Sequence, residues 1–538
     1  MHIKRTALGL LVVATAAALA LGGCGRTGGG DETPTAPTVQ TEAAPQKIVI
    51  GTTDKLTTLD PAGSFDHGSL AVHIQVYSFL YSFVPGQNTP QPDAAEICGF
   101  IADVIFRCQM RAGLQFANGD ILDSSDVKFT FERQLAINDP NGPASLLENL
   151  ESIETPDAQN VDFILKAPND QTFLQVLATS VGPIVDEDVF PFDSLLSDED
   201  IVAANAFSGP YTITSYTKND TVEFTPNEGY RGAAEIPANA GVTQKTFTDA
   251  TNLKLSVSNG DIDVGYRSFT PTDIEALQKD DGVKVWSEKG GEIRYIVFNL
   301  KTMPGDTAAQ KLAVRQAIAA SVDRDALSNQ VYKGQYTPLC SYIPDGFMGA
   351  NTAVCDAYGS TPDKDKAAKY LSDAGMKTPV KLSIQYNPDH YGSSSDQEYG
   401  LIKQQLEATG LFSVDLQSTE WVTYNKERVK DGYPIYQLGW FPDYPDGDNY
   451  LMPFFHTNNF LVNHFSESAV DEALMKQVTE VDPAQRAVQL QDIQTTVAGH
   501  LSTLPLLQGS QWAVSRTNIS GIVLGVDENL HFNTIAKS

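Results

Sequence analysis

The chain has 538 residues, 41% of them hydrophobic, and its 67 acidic residues outnumber 37 basic ones to give a formal net charge of −30. That length supports two or three domains with cores of their own. The charge argues against nucleic acid and anionic lipid as direct partners, because their phosphates would be repelled.

The N-terminus reads as a processing signal. Lys4 and Arg5 precede an apolar run, Ala7–Leu21, too short for a membrane-spanning helix and suited to a signal-peptide core. The run ends in Leu21-Gly22-Gly23-Cys24, which resembles the bacterial lipobox. Residues 1–23 are therefore expected to be a signal peptide, and Cys24 the lipid-modified first residue of the mature chain. The rival reading is ordinary secretory cleavage that leaves Cys24 unmodified. Residues 24–45 hold Gly, Thr, Pro, Ala and acids without apolar periodicity, which predicts a flexible tether with a reach of about 25 Å. A lipid on Cys24 would anchor the body to the outer face of the cell membrane.

Lys47–Gly51 reads as a strand, and Ala71–Phe83 has apolar residues at helical spacing. Phe106–Phe116 alternates in part, Ala117–Asp120 is a turn, and Asp123 or Ser124 can cap a helix beginning near Ser125. Tyr211–Tyr216 and Thr221–Pro226 read as a hairpin, and Ala250–Asn259 as a helix. A strand is expected at Tyr295–Asn299, and a helical stretch at Ala308–Gly334 broken near Asp323. Then come the helix Lys364–Asp373, the strand Val380–Tyr386, the helix Glu398–Thr409, a strand through Val414 and Leu416, the helix Val422–Lys430 and the strand Pro434–Gly439. This alternation predicts a mostly parallel sheet covered by helices. Ser468–Val478 and Pro483–Leu501 read as helices, the second capped by Asp482, before late strand segments at Pro505–Leu507 and Trp512–Ser515.

Besides Cys24 there are four cysteines, in two close pairs. In an exported chain these predict Cys98–Cys108 and Cys340–Cys355 disulfides. A metal site is the rival, but the spacings match no zinc pattern. No Gly-x-Ser-x-Gly, His-Glu-x-x-His or Gly-x4-Gly-Lys-Ser/Thr motif is present. A secreted hydrolase would need a nucleophile–base pair that the sequence does not display, and no cofactor or metal is expected.

The segment Gly439–Leu451 (Gly-Trp-Phe-Pro-Asp-Tyr-Pro-Asp-Gly-Asp-Asn-Tyr-Leu) puts aromatics and carboxylates on a proline-stiffened loop. Its place after a parallel strand is where open α/β sheets bind ligands. Such a loop suits a ligand bearing positive charge; it also has the composition of a plain turn.

Several stretches together resemble one family, solute-binding protein family 5, the oligopeptide- and dipeptide-binding lipoproteins of bacterial ABC importers. They are Leu59-Asp60-Pro61; Met110–Asp120 with Asp126-Val127-Lys128-Phe129 and Arg133; Ser208–Tyr211 with Asn227 and Tyr230; Gly260–Asp263; Asn299-Leu300; Val314–Ile318 with Asp323-Arg324; and Gly439–Leu451. The resemblance implies a two-lobed α/β periplasmic-binding-protein-like fold with an inserted domain and a hinge. Domain I would comprise 46–76, 203–293 and 503–538, domain II the insertion 77–202, and domain III 294–502. It implies a non-enzymatic, monomeric protein that captures peptides between its lobes and delivers them to ABC transporter permease subunits. Asp443 would pair with the ligand's α-amino group, beside Trp440 and Tyr444. Main chain at Ser64, Phe65, Asp66 and His67, and at Gly439 and Phe441, would bond the peptide backbone. Members that take dipeptides place an Arg after the strand matching Val380–Tyr386. Here Asn387–Ser395 holds Asp389 and His390 but no Arg or Lys. That leaves longer peptides, or a non-peptide solute such as a sugar or metal chelate.

Overall fold

A mixed sheet of 11 strands is the backbone of the molecule. In chain order they are β1 (Ile48–Thr52), β2 (Tyr211–Thr217), β3 (Thr221–Pro226), β4 (Val242–Thr246), β5 (Val264–Tyr266), β6 (Val283–Phe298), β7 (Thr337–Pro338), β8 (Val380–Tyr386), β9 (Phe412–Ser418), β10 (Ile435–Trp440) and β11 (Thr503–Arg516). Across the sheet the order is β9-β8-β10-β6-β11-β5-β1-β4-β3-β2, with β7 on β11. This computed structural model describes residues 44–538 apart from Asn88, Ser268, Asp389, Ser393 and Val526. The expectations for the signal peptide, Cys24, Asp389 and nearly all of the tether therefore lie outside the described residues.

The parallel sheet expected around residues 380–439 is present there, where β8 runs parallel to β9 and β10. β1 is likewise parallel to β4 and β5. The whole sheet is mixed rather than mostly parallel, because the two longest strands, β6 and β11, enter it antiparallel to each other and to their other neighbours. The β6–β11 ladder breaks between Lys289 and Ile293, leaving Gly290, Gly291 and Glu292 outside it. The late segments expected at 505–507 and 512–515 are one strand, β11.

Helices follow their caps. Asp123 accepts from Ser125 N while Asp126 reaches back to Asp123 N, fixing the start of Ser124–Ile137. Asp482 and Pro483 open Pro483–His500. The helix expected at 71–83 instead spans His67–Val76, because Asp66 accepts from Ser69 N and the backbone turns extended at Tyr77. The helix expected from Glu398 begins at Ser395.

A second, antiparallel sheet of four strands (Ala95–Ala102, Ile105–Met110, Asn160–Leu165 and Leu150–Asp157) packs on the Ser124–Ile137 helix through Val127 and Phe131. Cys98 and Cys108 face each other in it and are disulfide-bonded, as are Cys340 and Cys355. Three large apolar cores are present. One is drawn from residues between Ile293 and Leu507, one mainly from the segments around β1–β5 and residues 513–535, and one from residues between Leu80 and Ile184. Tyr444 joins the third core from far along the chain. Among the described residues no helix is long and apolar enough to cross a membrane.

Candidate ligand-binding cleft

The Gly439–Leu451 loop leaves the C-terminal end of β10, as the sequence placed it. One side chain organises it. Asn449 Oδ1 accepts from Trp440 Nε1 and from Asp443 N, both at 2.9 Å, and its Nδ2 donates to Asp443 Oδ2 at 3.1 Å. Asp446 starts the next turn by accepting from Asp448 N and is clamped from behind by Arg486. Asp446 and Asp448 are thus turn and support residues, while Asp443 is left facing open space.

That space is a cavity of about 400 Å³. Asp443, Phe441 and Tyr444 from the loop, Phe65 and His67 from the start of the first helix, and Tyr77, Asp93, Tyr230 and Glu528 from elsewhere lie on its wall. A second cavity of about 490 Å³ shares Arg267, His390, Phe441 and Glu528 with the first, and adds Glu292, Arg294, Tyr332, Tyr336 and Gln511. Both volumes fall in the range of small-ligand sites. Burial pushes the Asp443 carboxyl above its ordinary range, and the Asn449 hydrogen bond only partly opposes this. No cation pairs with Asp443 among the described residues. Burial, with the Arg267 charge added, holds His67 well below its ordinary value, so its ring is neutral; its Nε2 has no hydrogen-bond partner among the described residues.

The structure gathers Phe65, His67, Phe441, Asp443 and Tyr444 around one cavity, and places the other anticipated residues behind the wall. Trp440 does not line either cavity: its indole N–H is committed to Asn449, and its ring packs edge-on against Phe454 at 5.2 Å and tilted against Phe460 at 5.6 Å. Gly439 sits in the β6–β10 ladder opposite Arg294, where a Cβ would come within 2.9 Å of the Tyr391 ring. Ser64 is buried, and Asp66 is spent on capping the helix. The sequence did not reveal Arg267, Glu292, Arg294 or Glu528. Glu292 and Arg294 lie two residues apart on β6, but Arg267 and Glu528 come from separate segments, and only the fold brings the four together. Tyr230 was visible as part of a motif, but its role was not: its hydroxyl donates to Asp93 at 2.7 Å, which anchors that wall.

Two further groups explain motifs rather than ligand contacts. Asp60 of the Leu-Asp-Pro stretch accepts two hydrogen bonds from Arg133, at 2.8 and 2.6 Å, in full burial. Asn227 Nδ2 donates to Gly209 O at 2.9 Å, locking the Ser-Gly-Pro-Tyr turn. Among the described residues no group of three or more His, Cys, Asp or Glu is arranged to hold a metal ion.

Comparison with known proteins agrees with this architecture. The model for bacterial extracellular solute-binding proteins, family 5, matches residues 91–461. The probable D,D-dipeptide-binding periplasmic protein of Escherichia coli (strain K12) is 25% identical over 507 residues, 91% of this chain and 94% of the relative. Heme-binding protein A of Haemophilus influenzae is 24% identical, covering 84% of each chain. The solved structure of HbpA2 from Haemophilus parasuis superposes with a TM-score of 0.79 at 21% identity, over 92% of this chain and 100% of that one.

Proposed function

The chain belongs to the bacterial extracellular solute-binding proteins of family 5, and from that premise we propose that it captures peptides with a free α-amino group and presents them to the permease of an ABC importer, with no catalysis of its own. The observation that carries the ligand class is Asp443. A half-buried carboxylate on a cavity wall, held by one neutral amide and by no cation among the described residues, is a receptor for an ammonium group. Phe65, Phe441 and Tyr444 supply apolar and aromatic surface beside it. His67 Nε2 offers the peptide one further polar contact.

The domain division at 46–76, 203–293 and 503–538, then 77–202, then 294–502, is part of the same proposal. Its support is the partition of the apolar cores, and closure of the parts over the ligand would shield the Asp443 pair from water. Anchoring by a lipid on Cys24 and action as a monomer are proposed with it, the first on the Leu21–Cys24 sequence.

Calorimetry with a peptide pool and its N-acetylated counterpart tests the reading. Binding of the free-amine pool alone is expected. Equal binding of both pools removes the α-amino contact with Asp443, and binding of neither with a response to sugars or metal chelates replaces the peptide with a different solute. The absence of Lys and Arg from residues 387–395 is the observation favouring that second reading.

A further inference from the structure

The second cavity has a charge imbalance that the α-amino site does not use. Four carboxylates, Asp54, Glu292, Glu398 and Glu528, surround two guanidiniums, Arg267 and Arg294. Arg267 Nε lies 3.3 Å from Asp54. Arg294 lies 3.4 Å from Glu398, which is fully enclosed and bonded otherwise by the Tyr332 hydroxyl. Arg294 also lies 3.3 Å from Glu292, so one cation is shared between two acids. Among the described residues the Glu528 carboxylate receives only backbone N–H groups, from Gly291 at 2.6 Å and Glu292 at 3.1 Å. With all six groups ionised, two negative charges stay uncompensated, and Glu292 and Glu528 are the two carboxylates on the cavity wall.

Acceptors with spare hydrogen-bonding capacity lie on the same wall. Glu292 Oε2 accepts from the Tyr336 hydroxyl at 2.6 Å, while Oε1 faces Arg294 Nη2 at 3.3 Å as an ion pair and accepts no hydrogen bond among the described residues. Gln511 is 8% exposed; its Nε2 is tied to Gly525 O, which fixes the amide, and its Oε1 is left without a partner among the described residues. Trp512 Nε1 and Arg294 Nε are nearby donors without a partner among the described residues, suited to peptide carbonyls, and they do not alter the charge. Burial drives the Glu528 carboxyl above its ordinary range, with Arg267 opposing and Glu292 reinforcing. A charge left uncompensated in so little water is costly, and a cation placed there is strongly held. Phe441 and Glu528 line both cavities, so a chain whose α-amino group meets Asp443 can extend into the second.

We propose that the second cavity is a cation-selective subsite that takes the side chain of a lysine or arginine in the bound peptide, with Glu292 and Glu528 as its counter-charges. This rests on the peptide reading above and narrows it to basic peptides. The test is calorimetry on the full chain with tripeptides and tetrapeptides carrying lysine at position two, three or four, each paired with its norleucine counterpart. At one position or more, lysine should bind at least about tenfold tighter, equivalent to roughly 1.4 kcal/mol. That ratio should fall to about one in Glu292→Gln/Glu528→Gln, and part of the way in each single variant; the thermal midpoint of each variant reports whether it is folded. Equal binding of lysine and norleucine peptides at every position overturns the subsite and leaves the peptide reading standing. So does a lysine preference that survives in the double variant, or that is undiminished in Glu528→Gln if the double variant does not fold. Failure of every peptide to bind removes both.

Discussion

Arg486 closes on Asp446 with two hydrogen bonds of 2.7 Å, Nη1 to Oδ2 and Nη2 to Oδ1, and both side chains are buried. Asp446 also receives Gln175 Nε2 at 2.8 Å, so the loop bearing Asp443 is fastened to two other parts of the chain. Two turns of loop rich in Pro, Gly and Asp keep one shape because of this pair, and Asp443 keeps its aim.

Arg486→Met should therefore cost about 3–5 kcal/mol, since it strands a buried carboxylate. Urea denaturation followed by circular dichroism checks this. Asp446→Asn introduced into the same variant should recover much of the loss, because the charge that lacked a partner is gone.

Asp443→Asn should lower affinity for free-amine peptides by at least about tenfold, the scale of one charge-assisted hydrogen bond of roughly 1.5–3 kcal/mol. N-acetylated peptides should not respond. The wild-type pH dependence has a definite sign. Burial raises the Asp443 pKa in the folded state, so the carboxyl takes up its proton earlier as pH falls, and affinity should begin to drop above the ordinary aspartate value of about 4. For the ligand-free protein the same shift means that stability from this group is present below the unfolded pKa and is lost as pH rises through the folded one. Calorimetry and thermal melts across pH 4–8 measure both, and an affinity flat across that range would remove Asp443 from the ligand.

Arg133→Lys should destabilise the protein by about 3 kcal/mol or more. The Arg133 fork holds both Asp60 oxygens and also donates to Pro191 O at 2.6 Å and Ser194 O at 2.7 Å. An ammonium cannot reproduce that planar set. The thermal midpoint in a scanning calorimeter reads the effect.

Each disulfide closes a short loop, with separations of 10 and 15 residues. Cys98→Ser/Cys108→Ser and Cys340→Ser/Cys355→Ser should each lose about 2–3 kcal/mol on the chain-entropy account. Urea midpoints of the two variants, compared with the oxidised wild type, give the values.

Much of this was legible because the signals were local. Asp123 with Asp126, and Asp482 with Pro483, announce helix starts within four residues, and the helices begin there. Asp443 stood out as a candidate because it shares one short loop with its aromatic neighbours, and it lies on a cavity wall. Trp440 shows the limit: an aromatic on a loop has the same sequence whether it faces a cleft or packs on Phe454, and Asn449 decides which. The first half of β6 was hard to see because the alternation begun by Val283, Lys284 and Val285 stops at Ser287, Glu288 and Lys289. Glu292 and Glu528 carry no local signal, since their meaning is the other's proximity across 236 residues of chain.

β11 lies between β6 and β5, so the two wings of the large sheet are joined by the strand of that sheet that is made last. Until Thr503–Arg516 is available, β5 and β6 have an unfilled place between them, and the long-range pairing that completes the sheet cannot form. A chain wired in this way stays incomplete while it is being threaded out of the ribosome or through a narrow channel, and can close its large sheet only once Thr503–Arg516 has passed.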